Sequence, residues 1–278
     1  MGNWKSYIAR GVEYVLHGIP VKKVIANISY TNPSDKLKGK GIVITGGAGG
    51  IGKAMAKRFI NEGAKVLITG RNVEKLQNIA SELGCEFLVL DITMIDTFEK
   101  FVNEANQKLN GVNVLVNNAG VSMHEQSFKE ISPDCFDVQM DTNFKGTFFL
   151  TQAFVSEWLN KHEAGEILFV SSETGETVDD RPYGWTKSAI NSMVKGLAHR
   201  LISKGIRING IAPGITATEM TGFSDQGNLF HKSNINQRVY LPDEVAEVAA
   251  FILSDAAGCI SGQIIFCNNG NTINARWR

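Results

Sequence analysis

The chain has 278 residues, which is long enough for one large α/β domain or two smaller ones. Its 28 basic and 28 acidic residues are interspersed and sum to zero formal charge, which argues against nucleic-acid binding and a polybasic membrane patch. The four cysteines have neither paired nor metal-ligand spacing, so we expect a reducing compartment and no metal site. No apolar run approaches the roughly 20 residues that span a bilayer, and no secretory leader pattern opens the chain, so we expect a soluble cytoplasmic protein.

Residues 1–38 are predicted to form an extension ahead of the main domain, residues 39–278. Apolar residues recur in the extension at helical spacing until Gly18-Ile19-Pro20 breaks the pattern. We expect this amphipathic arm to pack on the body or on a neighbouring subunit. The alternative is membrane contact through acylation of Gly2, whose surrounding sequence matches the pattern. So short a match arises readily by chance, and one acyl chain anchors weakly.

The main domain begins with a buried strand and a glycine-rich turn. Gly41–Thr45 is a largely apolar run typical of a strand buried in a parallel sheet, and glycines recur from Gly46 to Gly52. Without side chains, this turn lets the backbone approach a pyrophosphate, and the helix that follows offers free N–H groups at its start. The strand, turn and helix together favour a dinucleotide site over a turn that binds nothing.

The end of the second predicted strand, residues 65–69, indicates which dinucleotide binds. Gly70 and Arg71 follow it, roughly twenty residues after the glycine turn, where an Asp or Glu would bind the adenosine ribose 2′-hydroxyl. Gly70 lacks that carboxylate, and Arg71 supplies a planar cation suited to phosphate. We therefore predict NADP(H) in preference to NAD(H). The alternative is that Arg71 is an ordinary surface arginine.

Strands continue to alternate with helices along the rest of the chain. The later predicted strands are residues 86–90, 112–116, 167–170, 206–212 and 263–267. This repeat predicts a single-domain, Rossmann-like, doubly wound parallel sheet of about seven strands, with ligands at the carboxyl ends. A long segment, residues 135–161, carries Asn143 in its middle. The polar stretch 221–240 is expected to be a mobile loop over the binding site.

A tyrosine and a lysine stand four residues apart, at Tyr183 and Lys187. Helical spacing places both on one face, so the ammonium can act on the phenol. A free phenol has a pKa of about 10, and a nearby fixed cation lowers it. By itself the spacing fits a half-buried aromatic beside a solvated amine just as well. The motifs at the ends of the other strands favour proton chemistry.

These residues together resemble the short-chain dehydrogenase/reductase superfamily, in the branch that uses a Tyr-x-x-x-Lys pair. The similarity covers residues 38–273 and extends to 3-oxoacyl-(acyl-carrier-protein) reductases. The motifs that carry it are Thr45-Gly46-x-x-x-Gly50-Ile51-Gly52, Asp91, Asn117-Asn118-Ala119-Gly120, Asn143, Ser172, Tyr183-x-x-x-Lys187, Pro213-Gly214 and Thr218. Any one of them could be accidental, but the ordered set is highly specific.

The resemblance implies a catalytic role for four residues. Tyr183 would exchange a proton with the substrate oxygen as hydride is transferred, and Lys187 would hold the nicotinamide ribose and depress the Tyr183 pKa. Ser172 would polarise the carbonyl, and Asn143 would help to hold a water that links the lysine to solvent. The alternatives are a hydroxyl that caps a turn for Ser172 and a buried amide satisfied by backbone for Asn143.

The predicted cofactor contacts combine the residue patterns with the resemblance. They are Thr45, Gly46, Gly50, Ile51, Gly52, Arg71, Asp91, Asn118, Ala119, Gly120, Tyr183, Lys187, Pro213, Gly214 and Thr218. The resemblance also implies a homotetramer that assembles through the long fourth and fifth helices and the terminal strand.

The chain departs from the family pattern at two places. Ser172 and Tyr183 are eleven residues apart, about two fewer than is usual, which tightens the intervening loop and makes Ser171 a rival. We keep Ser172 because Gly175 follows it as a glycine usually follows the catalytic serine. Near the end, Asn268-Asn269-Gly270 replaces the common Asp-Gly-Gly, which is expected to alter a subunit contact more than the chemistry.

The predicted activity is an NADP-dependent oxidoreductase that acts on CH–OH groups of a small molecule. One substrate class is a 3-oxoacyl thioester, which the resemblance suggests. The other is a polar ketone or sugar alcohol, because acidic residues crowd the loop before Tyr183 and only Lys161 is basic just ahead of the fifth strand. That loop also fits a solvated acidic turn. A different kind of function is a non-catalytic NADP(H)-binding sensor or scaffold, whose sequence mark would be a broken Tyr/Lys pair.

Overall fold

A computed structural model describes residues 23–25 and 34–273 of the protein. The predicted N-terminal helix and Gly2 lie outside these residues. Of the extension, Val24 contacts the body: its amide donates to Asn228 Oδ1 (3.0 Å), and its carbonyl accepts from the amide of Leu229 (3.1 Å). Further along, the amides of Ser34 and Lys36 donate to the buried carboxylate of Glu62. The described stretches of the extension therefore lie against the domain.

A parallel sheet forms the centre of the domain, and the predicted fold class is confirmed. The seven strands of the described chain are β1 (Gly41–Thr45), β2 (Lys65–Gly70), β3 (Glu86–Val89), β4 (Val114–Asn117), β5 (Gly165–Val170), β6 (Ile206–Pro213) and β7 (Ile264–Cys267). Their order in the sheet is β3-β2-β1-β4-β5-β6-β7. The order reverses between β1 and β4, so the carboxyl ends of these two strands flank the crevice where such sheets bind ligands.

Helices cover both faces of the sheet. They are α1 (Gly50–Asn61), α2 (Val73–Leu83), α3 (Phe98–Leu109), α4 (Pro133–Gln139), α5 (Thr147–Lys161), α6 (Pro182–Leu201) and α7 (Pro242–Ile252). The residues of β1 alternate between the two layers. Ile42 and Ile44 pack in one apolar core with α1, α2 and α7, whereas Val43 packs in the other with α3, α5 and α6. Burial on both faces explains why β1 reads as a continuous apolar run.

The long segment around Asn143 is not one regular helix. Helix α4 is capped by Ser132, whose side chain accepts from the amide of Cys135. The helix passes into a π-helical segment, Met140–Gly146, before α5 begins. A side chain at Gly146 would collide with the carbonyl of Ile92. Only glycine therefore lets this segment lie so close to the end of β3. A π segment widens the helix locally and re-aims side chains, a feature frequent at functional sites.

The polar stretch between β6 and α7 is irregular, as the sequence predicts. It nevertheless carries a small apolar cluster of its own, in which Ala217, Leu229 and Val239 are buried. The Arg238 guanidinium pairs with Glu244 at the start of α7 (2.6 Å). The stretch is therefore packed onto the domain.

Two features are absent from residues 23–25 and 34–273. None of the helices there is both long enough and apolar enough to cross a bilayer. The same residues contain no group of three or more His, Cys, Asp or Glu side chains arranged to hold a metal ion.

Candidate active site

A cleft of about 440 Å³ opens at the carboxyl ends of β1, β4, β5 and β6. It collects most of the predicted site residues. Those that line it are Gly46, Gly50, Ile51, Arg71, Asn118, Ala119, Gly120, Ser172, Tyr183, Lys187, Pro213, Gly214 and Thr218. Thr45 and Asp91 instead line an adjoining cavity of about 180 Å³, which Arg71 shares. Gly52 and Asn143 line neither cavity. They pack against Gly46 and Gly120, which do.

The glycine turn is shaped by close approaches. Gly46 and Gly50 have φ values of +64° and +50°, in the left-handed region that favours glycine. A Cβ on Gly52 would collide with the carbonyl of Gly46. A Cβ on Gly47 would lie 2.7 Å from Ile68. Helix α1 starts after Gly49 with no side-chain cap, so its first N–H groups remain available beside the cleft.

Thr45 and Asn118 fasten the turn to the end of β4. The Thr45 hydroxyl donates to the carbonyl of Val116 (3.3 Å) and accepts from the amides of Asn118 and Ala119, at 3.0 Å each. The Asn118 side-chain amide donates to the carbonyls of Thr45 (2.9 Å) and Gly46 (3.1 Å). The hydroxyl of Thr45 is therefore used within the protein. It supports the cleft rather than facing it.

Arg71 and Asp91 both line the adjoining cavity. Asp91 Oδ1 accepts from the amide (3.0 Å) and the hydroxyl (2.8 Å) of Thr93. The backbone hydrogen bond is the largest cause of the lowered pKa of Asp91, and the hydroxyl of Thr93 and the charge of Arg71 add to it against partial burial. Asp91 is thus an anion at neutral pH. Arg71 is exposed on the rim of the cleft, directly after Gly70.

Tyr183 and Lys187 lie on the first two turns of α6, which starts at Pro182 with a fixed φ suited to a helix start. The Lys187 amine donates to the carbonyl of Val170 at the end of β5 (2.9 Å) and lies 5.6 Å from the centroid of the Tyr183 ring. Burial lowers the pKa of Lys187 to about 8. The lysine is therefore still mostly cationic at neutral pH but loses its charge in the mildly alkaline range.

The pKa of Tyr183 moves opposite to the sequence expectation. Burial of the phenol raises its pKa, and a hydrogen bond with Ser172 lowers it only in part. The expected depression by Lys187 is wrong for this arrangement, because loss of hydration disfavours the phenolate more than its surroundings stabilise it. At neutral pH the phenol is fully protonated.

The two serines at the end of β5 have different partners. The hydroxyl of Ser171 donates to Asn191 Oδ1 on α6 (2.6 Å) and is committed to holding that helix. The hydroxyl of Ser172 accepts from the amide (3.2 Å) and the hydroxyl (3.0 Å) of Thr174, and it also contacts the Tyr183 phenol. Only Ser172 is therefore bonded to the phenol, which favours it over its neighbour.

Asn143 is 2 % exposed and reaches the cleft from behind, out of the π-helical segment. Its side chain bonds the backbone of Val121 twice, donating to the carbonyl and accepting from the amide, at 2.8 Å each. A Cβ on Gly120 would lie 3.4 Å from Asn143 Oδ1 and 3.6 Å from Lys187 Nζ. The backbone of Gly120 thus lies between the side-chain amide of Asn143 and the amine of Lys187, close to both.

The short loop before Tyr183 uses two of its acidic residues internally. A Cβ on Gly184 would collide with Asp179, whose carboxylate accepts from Arg181 Nε (2.8 Å). Glu173 accepts from the side-chain amides of Asn268 and Asn271, at 3.1 Å each. The departure at Asn268 therefore has an internal partner, and the acidic loop is not one open anionic surface.

Lys75 and Glu219, two oppositely charged residues that line the cleft, were not predicted from the sequence. Lys75 lies on the first turn of α2, where its amine bonds both carboxylate oxygens of Glu219 on the opposite wall (2.8 and 2.9 Å). Arg71 directly precedes Asn72, the cap of α2, and Lys75 lies on the first turn of that helix, so the sequence contains a second cation close to Arg71. No local signal marks Glu219, because its partner lies 144 positions away.

Comparisons with known proteins agree with this geometry. The family model described as short chain dehydrogenase matches residues 40–228. A 3-oxoacyl-(acyl-carrier-protein) reductase of Aquifex aeolicus is 31 % identical over 245 residues, covering 84 % of this chain and 98 % of the relative. Oxidoreductase UcpA of Escherichia coli K12 is 32 % identical over 256 residues, covering 86 % and 96 %.

The solved structures extend the likeness to three dimensions. The crystal structure of a 3-ketoacyl-(acyl-carrier-protein) reductase from Brucella melitensis, complexed with NADH, has 32 % identity and a TM-score of 0.78. The match covers 85 % of this chain and 100 % of that one. The fold thus recurs in a protein whose structure was determined with NADH bound.

Proposed function

Because the chain belongs to the short-chain dehydrogenase/reductase family and is an oxidoreductase that uses a nicotinamide cofactor, we propose that it interconverts a carbonyl and a secondary alcohol with NADP(H). The observation that carries the proposal is that Ser172, Tyr183 and Lys187 line one cleft, with the Lys187 amine 5.6 Å from the centroid of the Tyr183 ring. This arrangement offers two hydroxyl donors at one point and a cation behind them, as reduction of a carbonyl requires.

Three side chains of the protein have separate roles in the proposed reaction. When bound, the nicotinamide supplies or accepts the hydride. Tyr183, protonated at neutral pH, gives its proton to the carbonyl oxygen during reduction and takes it back during oxidation. Ser172 donates a hydrogen bond to the same oxygen and so stabilises the charge that develops there. The cation of Lys187 favours the phenolate that Tyr183 becomes after it has given up its proton.

Asn143 and the glycine turn serve as supports in this proposal. Asn143 holds the backbone of Val121 and fixes the position of Gly120 beside the lysine. The glycine turn leaves a channel that side chains would fill, and it presents the start of α1 to the diphosphate. These features fit a dinucleotide through the shape of the backbone.

The preference for NADP(H) rests on the end of β2. No carboxylate stands at Gly70 to repel a 2′-phosphate, and Arg71 supplies a charge on the rim of the cleft. The charge of Arg71 lowers the pKa of Asp91, but the hydrogen bonds of the Asp91 carboxylate come from Thr93. The guanidinium therefore remains available to a phosphate.

Two substrate classes remain within the proposal. The similarity to 3-oxoacyl reductases favours a thioester. Against an acidic carrier protein stands Lys161, the basic residue just ahead of β5, which is paired with Glu157 (2.6 Å). A docking surface for an acidic partner needs several basic residues, whereas Lys161 is followed by two acidic residues before residue 167, so a polar ketone or sugar alcohol is the other class.

The test of the proposed function is a cofactor and substrate comparison. We expect the purified protein to oxidise NADPH faster than NADH when offered a panel of an acetoacetyl thioester, ketosugars and simple ketones. Equal dissociation constants and rates for the two cofactors would remove the predicted preference and leave the family intact. Tight NADPH binding with no turnover on any carbonyl would instead favour the non-catalytic alternative.

We propose that the protein is a homotetramer that uses the helices around the π segment. Phe136 on α4 and Phe148 and Leu159 on α5 are each 37 % exposed, and Trp185 on α6 is 41 % exposed. Large apolar side chains on neighbouring helices favour contact with another copy. Light scattering is expected to give four times the chain mass, and a mass of one chain would contradict the proposal.

A further inference from the structure

An ion pair joins the two walls of the cofactor cleft. Lys75 belongs to α2, which follows β2, and Glu219 belongs to the loop that follows β6. The Lys75 amine contacts both carboxylate oxygens of Glu219, at 2.8 and 2.9 Å. Both residues line the cleft, together with Arg71. The pair therefore lies at the cleft itself, where a bound dinucleotide would meet it.

The amine of Lys75 occupies the space above the glycine turn. A Cβ built on Gly49 would lie 3.3 Å from Lys75 Nζ and 3.7 Å from its Cε. The absence of a side chain at Gly49 thus makes room for the lysine. Asn72, which caps α2 by accepting from the Lys75 amide (2.8 Å), fixes the turn of helix that carries the side chain. Arg71 precedes that cap, so two cations flank one corner of the cleft.

Another anion can readily replace Glu219 as the partner of Lys75. The side chain of Glu219 is 82 % exposed and that of Lys75 is 40 % exposed. Ion pairs between exposed side chains contribute little to stability, because water and salt screen them. A phosphate dianion carries more charge than a carboxylate and offers more acceptor oxygens, so it competes effectively for the same amine.

We propose that Lys75 is a second phosphate-binding cation, which acts with Arg71 on the 2′-phosphate of the cofactor, and that Glu219 competes with this phosphate for the amine. The inference rests on the proposed preference for NADP(H). In the free protein Glu219 holds Lys75, and in the complex the phosphate takes its place. Binding of NADP(H) then releases the Glu219 carboxylate from Lys75, whereas NAD(H) leaves the pair in place.

The experiment measures dissociation constants of NADPH and NADH for the full chain, by fluorescence titration at two ionic strengths. For Lys75→Met we expect a roughly tenfold weaker binding of NADPH and an unchanged constant for NADH. For Glu219→Gln we expect NADPH to bind about threefold more tightly, again with NADH unchanged. Lys75→Arg should retain most of the wild-type preference.

The control is Lys53→Met, which removes a comparable exposed pair, Lys53 with Glu82 (2.8 Å), on the neighbouring helix α1. It should leave both constants unchanged. A loss of NADPH affinity in this control as large as in Lys75→Met would reduce the effect to general charge and overturn the inference. Equal changes for both cofactors in Lys75→Met, or no change, would overturn it as well.

The variant Arg71→Met separates this inference from the proposed function. If it weakens NADPH binding while Lys75→Met does not, the preference for NADP(H) stands and the role of Lys75 is wrong. If the wild-type protein binds both cofactors equally and no variant changes the ratio, both are wrong.

Discussion

Replacing Tyr183 with phenylalanine is expected to lower kcat for carbonyl reduction by about 10³-fold, because it removes the group that donates the proton. The ring remains, so its packing in the cleft and the dissociation constant of the cofactor should change little. Burial raises the pKa of the phenol, so the donor is fully protonated in the wild-type protein at neutral pH. Steady-state kinetics with the best carbonyl of the panel, together with a cofactor titration, measure both quantities.

The neighbouring serines provide a matched comparison for this result. Ser172→Ala should lower kcat by about 10²-fold, since it removes a donor at the oxygen where charge develops. Ser171→Ala should retain most of kcat, because that hydroxyl is bonded to Asn191. Turnover by the phenylalanine variant close to the wild-type rate would refute the role of Tyr183. A larger loss at Ser171 than at Ser172 would exchange the roles of the two serines.

Replacing Lys187 with methionine is expected to lower kcat/KM for reduction by about 10²-fold and to change its pH dependence. Burial lowers the pKa of the lysine to about 8, so in the wild-type protein the cation is lost as the pH rises through that value. We therefore expect the wild-type kcat/KM, measured from pH 6 to pH 10, to fall above about pH 8. The methionine variant should lack this alkaline step.

The stability of the same variant distinguishes loss of chemistry from loss of fold. The folded-state pKa of Lys187 lies below its ordinary value of 10.5, so the unfolded chain binds the proton more tightly. The contribution of Lys187 to stability therefore increases as the pH rises from about 8 towards 10.5, and below this range the buried charge is a cost. Lys187→Met should be at least as stable as the wild-type protein at pH 7. An alkaline step that persists near pH 8 in the variant would show that another group titrates there.

The sequence was sufficient for the centre of the sheet because β1, β2 and β4 are compact, largely apolar runs, and burial on both faces enforces that pattern. The bounds of β1 were predicted as observed. The direction of the Tyr183 pKa was not, because it depends on how much water the folded protein excludes. Likewise, the ion pair of Lys75 with Glu219 joins positions that only the fold brings together.

The rivalry between Ser171 and Ser172 shows what local spacing leaves open. In an extended strand end, successive side chains point to opposite sides. Both serines line the cleft, but the hydroxyl of Ser171 is bonded to Asn191 on α6 and that of Ser172 to Thr174. The sequence contains the pair but does not state which side each hydroxyl takes. The partner on α6, Asn191, settles the orientation of Ser171.

The π-helical segment between α4 and α5 determines how the side chains of α5 are oriented around the helix axis relative to Asn143. Each residue turns a helix by about 100°, and a π turn holds one residue more in each hydrogen-bonded ring than an α turn. Leu150, Phe154 and Trp158 all point into the core from α5, while Asn143 serves the cleft. Losing a single residue from Met140–Gly146 would restore an ordinary helix and rotate these two sets of side chains against each other. We therefore expect this segment to tolerate substitutions, each of which affects either the core or the cleft. Deletion of one residue would disturb the core and the cleft together.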